Sequence, residues 1–330
     1  GEAGMKLTLQ TLWEEGAESL RRSGIGEAEL DAKYLLFEAF QTDMVHFLMH
    51  RNEEVKDEDS VKRTVADYRR MIEKRSERIP LQQITGSREF MGLEFSVNEY
   101  VLIPRQDTET LVEQVLKDFQ GKNPEVLDLC TGSGCIGISL SILGGWQEVT
   151  LADISLKALL VAKKNAEDLM TAKLHPIRLS SEGQKESPWR WRLTSELPGM
   201  EDKTAGVQNI TLVESDLFSS LSGDGKRKFD VIVSNPPYIP TNVIEELEPE
   251  VRDHEPRLAL DGMEDGLYFY RRLAAECGSY LKPGGTVYFE IGYDQGQAVS
   301  GLLREAGFQN VLVYQDAPGL DRVVKGTAAS

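Results

Sequence analysis

No apolar run in this 330-residue chain approaches the ~18 residues that a membrane-spanning helix needs. The opening residues Gly1-Glu2-Ala3-Gly4-Met5-Lys6 lack the apolar stretch of a secretory signal, so none is expected. Gly1 to Gly4 read as a cloning remnant ahead of Met5. Cysteine is scarce: Cys130, Cys135 and Cys277, irregularly spaced, make neither a disulfide framework nor a paired metal knuckle. A reducing cytoplasm fits that usage. His46 and His50 stand four apart and could share a helix face, but no third ligand accompanies them, so no metal is expected. Basic charge is in deficit, with 37 Lys and Arg against 54 Asp and Glu and a net charge of −17. Duplex nucleic acid is held mainly by basic residues that neutralise phosphates, so this balance argues against a general affinity for DNA.

What is present is an ordinary globular composition, 40% hydrophobic and 28% charged, on a chain long enough for two domains. Residues 1–80 read as a small helical domain. Leu9, Leu12, Trp13, Ala17 and Leu20 form one apolar stripe that Gly24 could end as a C-cap. A second helix is expected from Glu27 to Phe40, and a third, highly charged, from Asp57 to Arg78, stopping before Pro80. Residues 81–104 change to a β-type period through Phe90, Leu93, Phe95, Val97, Val101 and Ile103, broken by Gly92, and suggest a hairpin linker.

Residues 105–330 alternate strands with helices, which implies a mostly parallel sheet wrapped by helices, an α/β fold. The expected strands are Val126–Cys130, Val149–Asp153, Ile210–Glu214, Phe229–Ser234 and Thr286–Ile291, with an edge hairpin at Val311–Tyr314 and Arg322–Lys325. Residues 175–208 fall outside the alternation and read as a surface excursion. Within it, Trp189-Arg190-Trp191-Arg192 interleaves aromatic and basic residues in a way that could stack on RNA, although no site is assigned there.

Two loops at strand ends carry chemistry. Asp128-Leu129-Cys130-Thr131-Gly132-Ser133-Gly134-Cys135-Ile136-Gly137 leads from the first strand into a helix, and Gly132, Gly134 and Gly137 match G-x-G-x-x-G. Asp153, 19 residues beyond Gly134, ends the next strand, where an acid can hold a ribose diol. An NAD-linked oxidoreductase is therefore a real rival. Three features favour the sulfonium cofactor S-adenosylmethionine instead. Asp128 would repel a pyrophosphate and suit a cationic methionyl group. Asp216, after the third strand, could accept from an adenine amino group. Asn235-Pro236-Pro237-Tyr238 closes the fourth strand with acceptors and no hydride partner. Two prolines remove two N–H donors, leaving the Asn235 side-chain oxygen, the Pro236 carbonyl and the Tyr238 ring as a rim for a planar NH2 group.

With these residues the chain resembles the HemK/PrmC-type protein glutamine N5-methyltransferases, which modify the Gln of the Gly-Gly-Gln loop in class 1 peptide chain release factors. The resemblance covers nearly the whole chain. Its specific marks are Ile103-Pro104-Arg105-Gln106-Asp107-Thr108-Glu109, the glycine loop, Ser234-Asn235-Pro236-Pro237-Tyr238, and Glu255-Pro256-Arg257-Leu258-Ala259-Leu260-Asp261-Gly262. It implies a class I, Rossmann-like S-adenosylmethionine-dependent methyltransferase domain of seven strands, with the helical domain recognising substrate. Leu102, Arg105 and Thr108 would border the cofactor pocket, Gly132 and Gly134 underlie the methionyl part, Asp153 hold the ribose and Asp216 lie near the adenine. Asn235 would bind the substrate amide, with Pro236, Pro237 and Tyr238 beside it. Cys130 departs from a usual glycine, Gln106-Asp107 from the common Pro-Glu, and residues 175–208 from the family's length.

The expectation is thus a cytoplasmic, monomeric enzyme that methylates a release factor, with S-adenosyl-L-homocysteine as by-product and no membrane or duplex DNA partner. Alternatives are a ribosomal-protein glutamine methyltransferase, an adenine-N6 nucleic-acid methyltransferase, which would have to extract a base from its stack, the NAD oxidoreductase, and a non-catalytic cofactor-binding adaptor.

Overall fold

The computed structural model describes residues 6–171, 178–184, 186–196, 206–221 and 229–330. Residues 1–4, and within the expected excursion residues 175–177, 185 and 197–205, lie outside the described residues. The chain divides into two compact units, one of Gly1–Gly86 with Glu248–His254, the other of Ser87–Leu247 with Glu255–Ser330.

In the first unit, α1 (Leu9–Arg22) starts at a capping box in which Thr8 and Thr11 satisfy each other's backbone N–H. Its buried stripe of Leu9, Leu12, Ala17 and Leu20 packs with α2 (Ala28–Phe40) and α4 (Asp59–Ser76). Gly16 has no room for a side chain, because a Cβ there would sit 2.1 Å from the Tyr68 hydroxyl, which donates to the Leu12 carbonyl. A short helix that the sequence pattern misses, α3 (Met44–His50), is capped by Asp43, and α5 (Leu81–Thr85) follows α4. The charges of α4 are not all solvated. Arg75 is buried and bonds Asp31 at 2.9 Å and Glu250 at 3.2 Å, the latter from α9 (Pro249–His254). The unit therefore draws seven residues from a stretch that sequence reading assigns wholly to the second domain.

In the second unit, β1 (Ser87–Phe90) and β2 (Leu93–Ser96) form the expected hairpin, turning at Met91 and Gly92 with φ of 52° and 75°. The main sheet is built on parallel strands β3 (Val126–Leu129), β4 (Glu148–Asp153), β7 (Gln208–Glu214), β8 (Phe229–Ser234) and β9 (Leu281–Glu290). The edge hairpin β10 (Gln309–Gln315) and β11 (Asp321–Thr327) joins antiparallel to β9. These are the seven strands of the expected fold class. Two more, β5 (Arg178–Gln184) and β6 (Arg190–Glu196), extend the sheet beyond β7 to give nine, in the order β10-β11-β9-β8-β3-β4-β7-β6-β5.

This corrects the reading of residues 175–208 as a surface excursion. Trp189 is buried and stacks on Trp191 at 6.1 Å, with the Lys163 ammonium 5.1 Å from the Trp191 ring centre. Both tryptophans pack into the same apolar layer as Leu193 and Leu212. Arg192 bonds Glu148 at 3.1 Å. The aromatic–basic alternation is the period of a half-buried strand rather than a stacking platform.

Helices α6 (Glu109–Asp118), α7 (Cys135–Gly144), α8 (Leu156–Thr171), α10 (Arg257–Leu260), α11 (Tyr268–Glu276) and α12 (Gly296–Glu305) complete the unit. Two apolar layers lie on opposite sheet faces, and β3 shows the alternation, Val126 in one and Leu127 and Leu129 in the other. β3 lies between β4 and β8, so the chain leaves it in one direction and returns on its other side. In open α/β sheets the ligand crevice forms at such a reversal, beyond the strands' carboxyl ends.

Candidate functional site

A cavity of about 350 Å³ opens at that reversal, walled entirely by the second unit. Its floor is the loop between β3 and α7. Gly132 and Gly134 hold φ of +54° and +83°, the left-handed region that glycine enters at no steric cost. Cys130 is also left-handed at +58°. A Cβ on Gly134 would lie 2.6 Å from Ile138 Cδ1, and one on Gly137 would lie 2.2 Å from Leu151 Cδ2. The third glycine of the pattern therefore serves packing of α7 on the sheet, and the first lines the cavity.

Asp128 does not meet the cavity. It is fully buried, and its Oδ2 accepts from the Thr131 hydroxyl at 2.7 Å and the Gly137 N–H at 3.0 Å. Alternation along β3 turns it toward α7, so the expectation that it contacts a methionyl group gives way to a role in holding the loop. Burial pushes its carboxyl up to about 7, and Oδ1 has no hydrogen-bond partner among the described residues. Asp153 is placed differently. It lines the cavity, its Oδ2 accepts from Gly132 N–H and its Oδ1 from Ser155 N–H, each at 2.9 Å, and burial raises its carboxyl. The two anchored oxygens keep further lone pairs for hydroxyl donors.

The remaining expected residues divide in the same way. Leu102, Arg105, Thr108, Asp216, Asn235 and Pro237 line the cavity, while Gly134, Pro236 and Tyr238 are outside its wall. Asp216 is exposed and ion-paired at 2.8 Å with Arg272, a cavity residue that sequence reading misses because nothing in α11's pattern marks it. The Tyr238 carbonyl accepts from Gln295 Nε2 at 3.0 Å, and its ring packs against the core. Gly262 and Gly266 are small for the same reason, since a Cβ on either would come within 2.8 Å of the Tyr238 backbone.

The segments that carry three of the four sequence marks lie against one another. Ile239 N–H donates to the Leu260 carbonyl at 3.0 Å and Gly262 N–H to the Ile239 carbonyl at 2.8 Å. Glu255 bonds Arg105 through both carboxyl oxygens, at 2.5 and 3.2 Å, and accepts from Ile103 N–H at 3.0 Å. A second acid that sequence reading misses is Glu290 at the end of β9, 2% exposed. Its Oε1 has no hydrogen-bond partner among the described residues. Burial pushes it up to about 7, against the pull of Arg322. A glutamate interrupting the apolar run Thr286–Ile291 one residue before its end is the available signal.

The residues present fit a nucleoside-bearing sulfonium: a glycine floor that a side chain would strain, an acid already oriented at the strand end, and a second acid after β7. Among the described residues no cluster of His, Cys, Asp or Glu could hold a metal ion.

Comparison with known proteins agrees. Residues 11–86 match the family described as PrmC N-terminal domain, and residues 105–186 match the methyltransferase small domain. The release factor glutamine methyltransferase of Clostridium botulinum is 36% identical over 320 residues, 97% of this chain and 99% of the relative. That of Caulobacter vibrioides is 37% identical over 327 residues, 98% of this chain and 97% of the relative. A solved protein-(glutamine-N5) methyltransferase (release factor-specific) from Alicyclobacillus acidocaldarius shares 26% identity over 72% of this chain and all of its own, with a TM-score of 0.38. Identity at this level over nearly the full length of both curated relatives means that the chain belongs to the release factor glutamine methyltransferase family.

Proposed function

We infer that this chain uses S-adenosylmethionine to methylate N5 of the glutamine in the Gly-Gly-Gln loop of a class 1 release factor. The observation that carries the residue-level reading is that Asn235 and Pro237 stand in the same cavity wall as Gly132 and Asp153. The amide-binding corner and the cofactor floor thus face one space.

Bound S-adenosylmethionine supplies an electrophilic methyl group, so the protein's task is alignment. An amide nitrogen is a poor nucleophile because its lone pair is delocalised into the carbonyl. Asn235, by accepting from an amide N–H, would fix the nitrogen and turn the face that carries its lone pair toward the methyl group. The same acceptor meets positive charge as it grows on nitrogen, which is stabilisation stronger in the transition state than before it. Positioning of this kind supplies several kcal/mol, up to about 7–11 in favourable cases. The proton leaves after transfer, and no general base is assigned. Asp153 is the proposed ribose ligand and Asp216 the proposed neighbour of the adenine. Thr108, Leu102 and Arg105 line the same cavity and are proposed to border the cofactor. Tyr238 and Pro236, outside the cavity wall, are proposed to hold Asn235 in place from behind.

The charge of −17 supports a protein substrate over duplex DNA. Among the described residues no helix is long and apolar enough to cross a membrane, and the three cysteines are unpaired. A reducing cytoplasm is the proposed setting.

The test offers labelled S-adenosylmethionine and purified release factor, beside a release factor whose loop glutamine is replaced. Label on the first alone is expected; label on both alike rejects the target.

A further inference from the structure

Glu255 is nearly closed to solvent, with its side chain 2% exposed, yet it is not in the cavity wall. Its two oxygens grip the guanidinium of Arg105 at 2.5 and 3.2 Å, and one of them also takes the Ile103 N–H at 3.0 Å. Arg105 in turn donates to the Ile103 carbonyl at 2.9 Å, so the backbone and side chain of this turn are closed on one carboxylate. Arg105 belongs to the wall that also holds Leu102, Pro104 and Thr108. The residues directly after Glu255, namely Pro256, Leu258 and Ala259, belong to a second wall of the same cavity.

We propose that Glu255 is a positioning residue for cofactor binding: a buried carboxylate that latches the 102–108 wall to the 256–259 wall and sets the cavity's width. A paired Arg–carboxylate contact fixes geometry as well as energy, because two parallel bonds define one relative orientation. The Ile103 amide adds a third point, so neither wall shifts without breaking a charge-assisted bond to a carboxylate that is itself buried. Glu255 then governs how tightly the cofactor is held without touching it. The inference rests on the cofactor reading given above.

The test is a double-mutant cycle on the affinity of purified full-length protein for S-adenosylhomocysteine, read by titration calorimetry. Glu255→Gln keeps the side chain's shape and its acceptor for Ile103, and thermal unfolding of each variant verifies that it folds. Glu255→Gln and Arg105→Gln are each expected to weaken binding roughly tenfold or more, and the double variant no more than the worse single. Turnover at saturating cofactor should stay within about threefold for Glu255→Gln, since uniform binding is what has been lost. Glu255→Asp should restore part of the affinity. Unchanged affinity in Glu255→Gln, or losses that multiply in the double variant, would overturn the latch. A wild-type protein that binds no S-adenosylhomocysteine would instead sink the cofactor reading itself.

Discussion

The Gly132 amide donates to Asp153 Oδ2 at 2.9 Å, so the acid that ends β4 also pins the turn of the glycine loop beside it. Ser155 N–H holds the other oxygen, and the carboxylate is oriented before any ligand arrives. The cavity floor and this acid are therefore one unit. Asp153→Ala should weaken S-adenosylhomocysteine binding by about 10–100-fold. It removes a ligand contact and strands two backbone donors, each worth about 1–3 kcal/mol when left unsatisfied. Turnover at saturating cofactor should change far less. Calorimetry showing wild-type affinity would remove Asp153 from the site.

Asn235 makes the opposite expectation. It follows Ser234, whose hydroxyl donates to the Leu129 carbonyl at 2.8 Å and so ties the end of β8 to β3. Asn235→Ala leaves that tie and the glycine floor intact. It should lower kcat by about 10²–10³, the usual cost of losing one preorganised polar group aimed at developing charge. Cofactor affinity should stay within about threefold. If both quantities fell together by the same factor, Asn235 would be a pocket strut and not the amide ligand.

Two buried acids give the protein a pH signature. Asp128 and Glu290 are each pushed up to about 7 by burial, whereas an unfolded chain ionises such groups near about 4. Between those values the folded state holds more protons than the unfolded one, so these two groups make stability fall as pH rises from about 4 to about 7. Asp128→Asn keeps an oxygen able to accept from both Thr131 and Gly137 while removing one titration. The difference in Tm between Asp128→Asn and wild type should therefore grow in the variant's favour across that window and level off above it. A constant difference from pH 4 to 7 would show that Asp128 titrates as an ordinary carboxylate.

Much of this site was legible because strand ends are marked by residues that interrupt apolar runs. Asp153, Asp216 and Asn235 each follow a β-branched segment, and the sequence places them at the sheet's carboxyl edge, where the cavity lies. What sequence could not supply was direction. Asp128 stands three residues before the glycine loop proper, and only the pleat of β3 decides that it points under the loop and not into the cavity. The role of Glu255, itself part of one of the sequence marks, escaped for a related reason: its partner Arg105 lies more than a hundred residues away. α3 was missed because seven residues give too short a pattern to count. The helical unit's claim on Glu248–His254 depends on ion pairs from Glu250 to Arg75 and Arg78, which no local pattern encodes.

The β5–β6 extension separates a structural role from a nucleic-acid role most sharply. Trp189 is 6% exposed, its backbone carbonyl accepts from Glu214 N–H at 2.8 Å, and its ring stacks on Trp191. β6 thus seals the edge of β7, the strand that delivers Asp216. Replacing a core tryptophan by alanine typically costs about 3–5 kcal/mol through lost contacts and the cavity left behind. Trp189→Ala should therefore lower Tm by roughly 6–20 °C, at about 2–4 °C per kcal/mol for a domain of this size. The loss should be visible in a thermal melt followed by circular dichroism. Binding to a labelled single-stranded RNA, read by fluorescence anisotropy, should be as weak as in wild type. An unchanged Tm together with loss of measurable RNA affinity would return the tryptophans to the surface and make the aromatic–basic run a stacking platform after all.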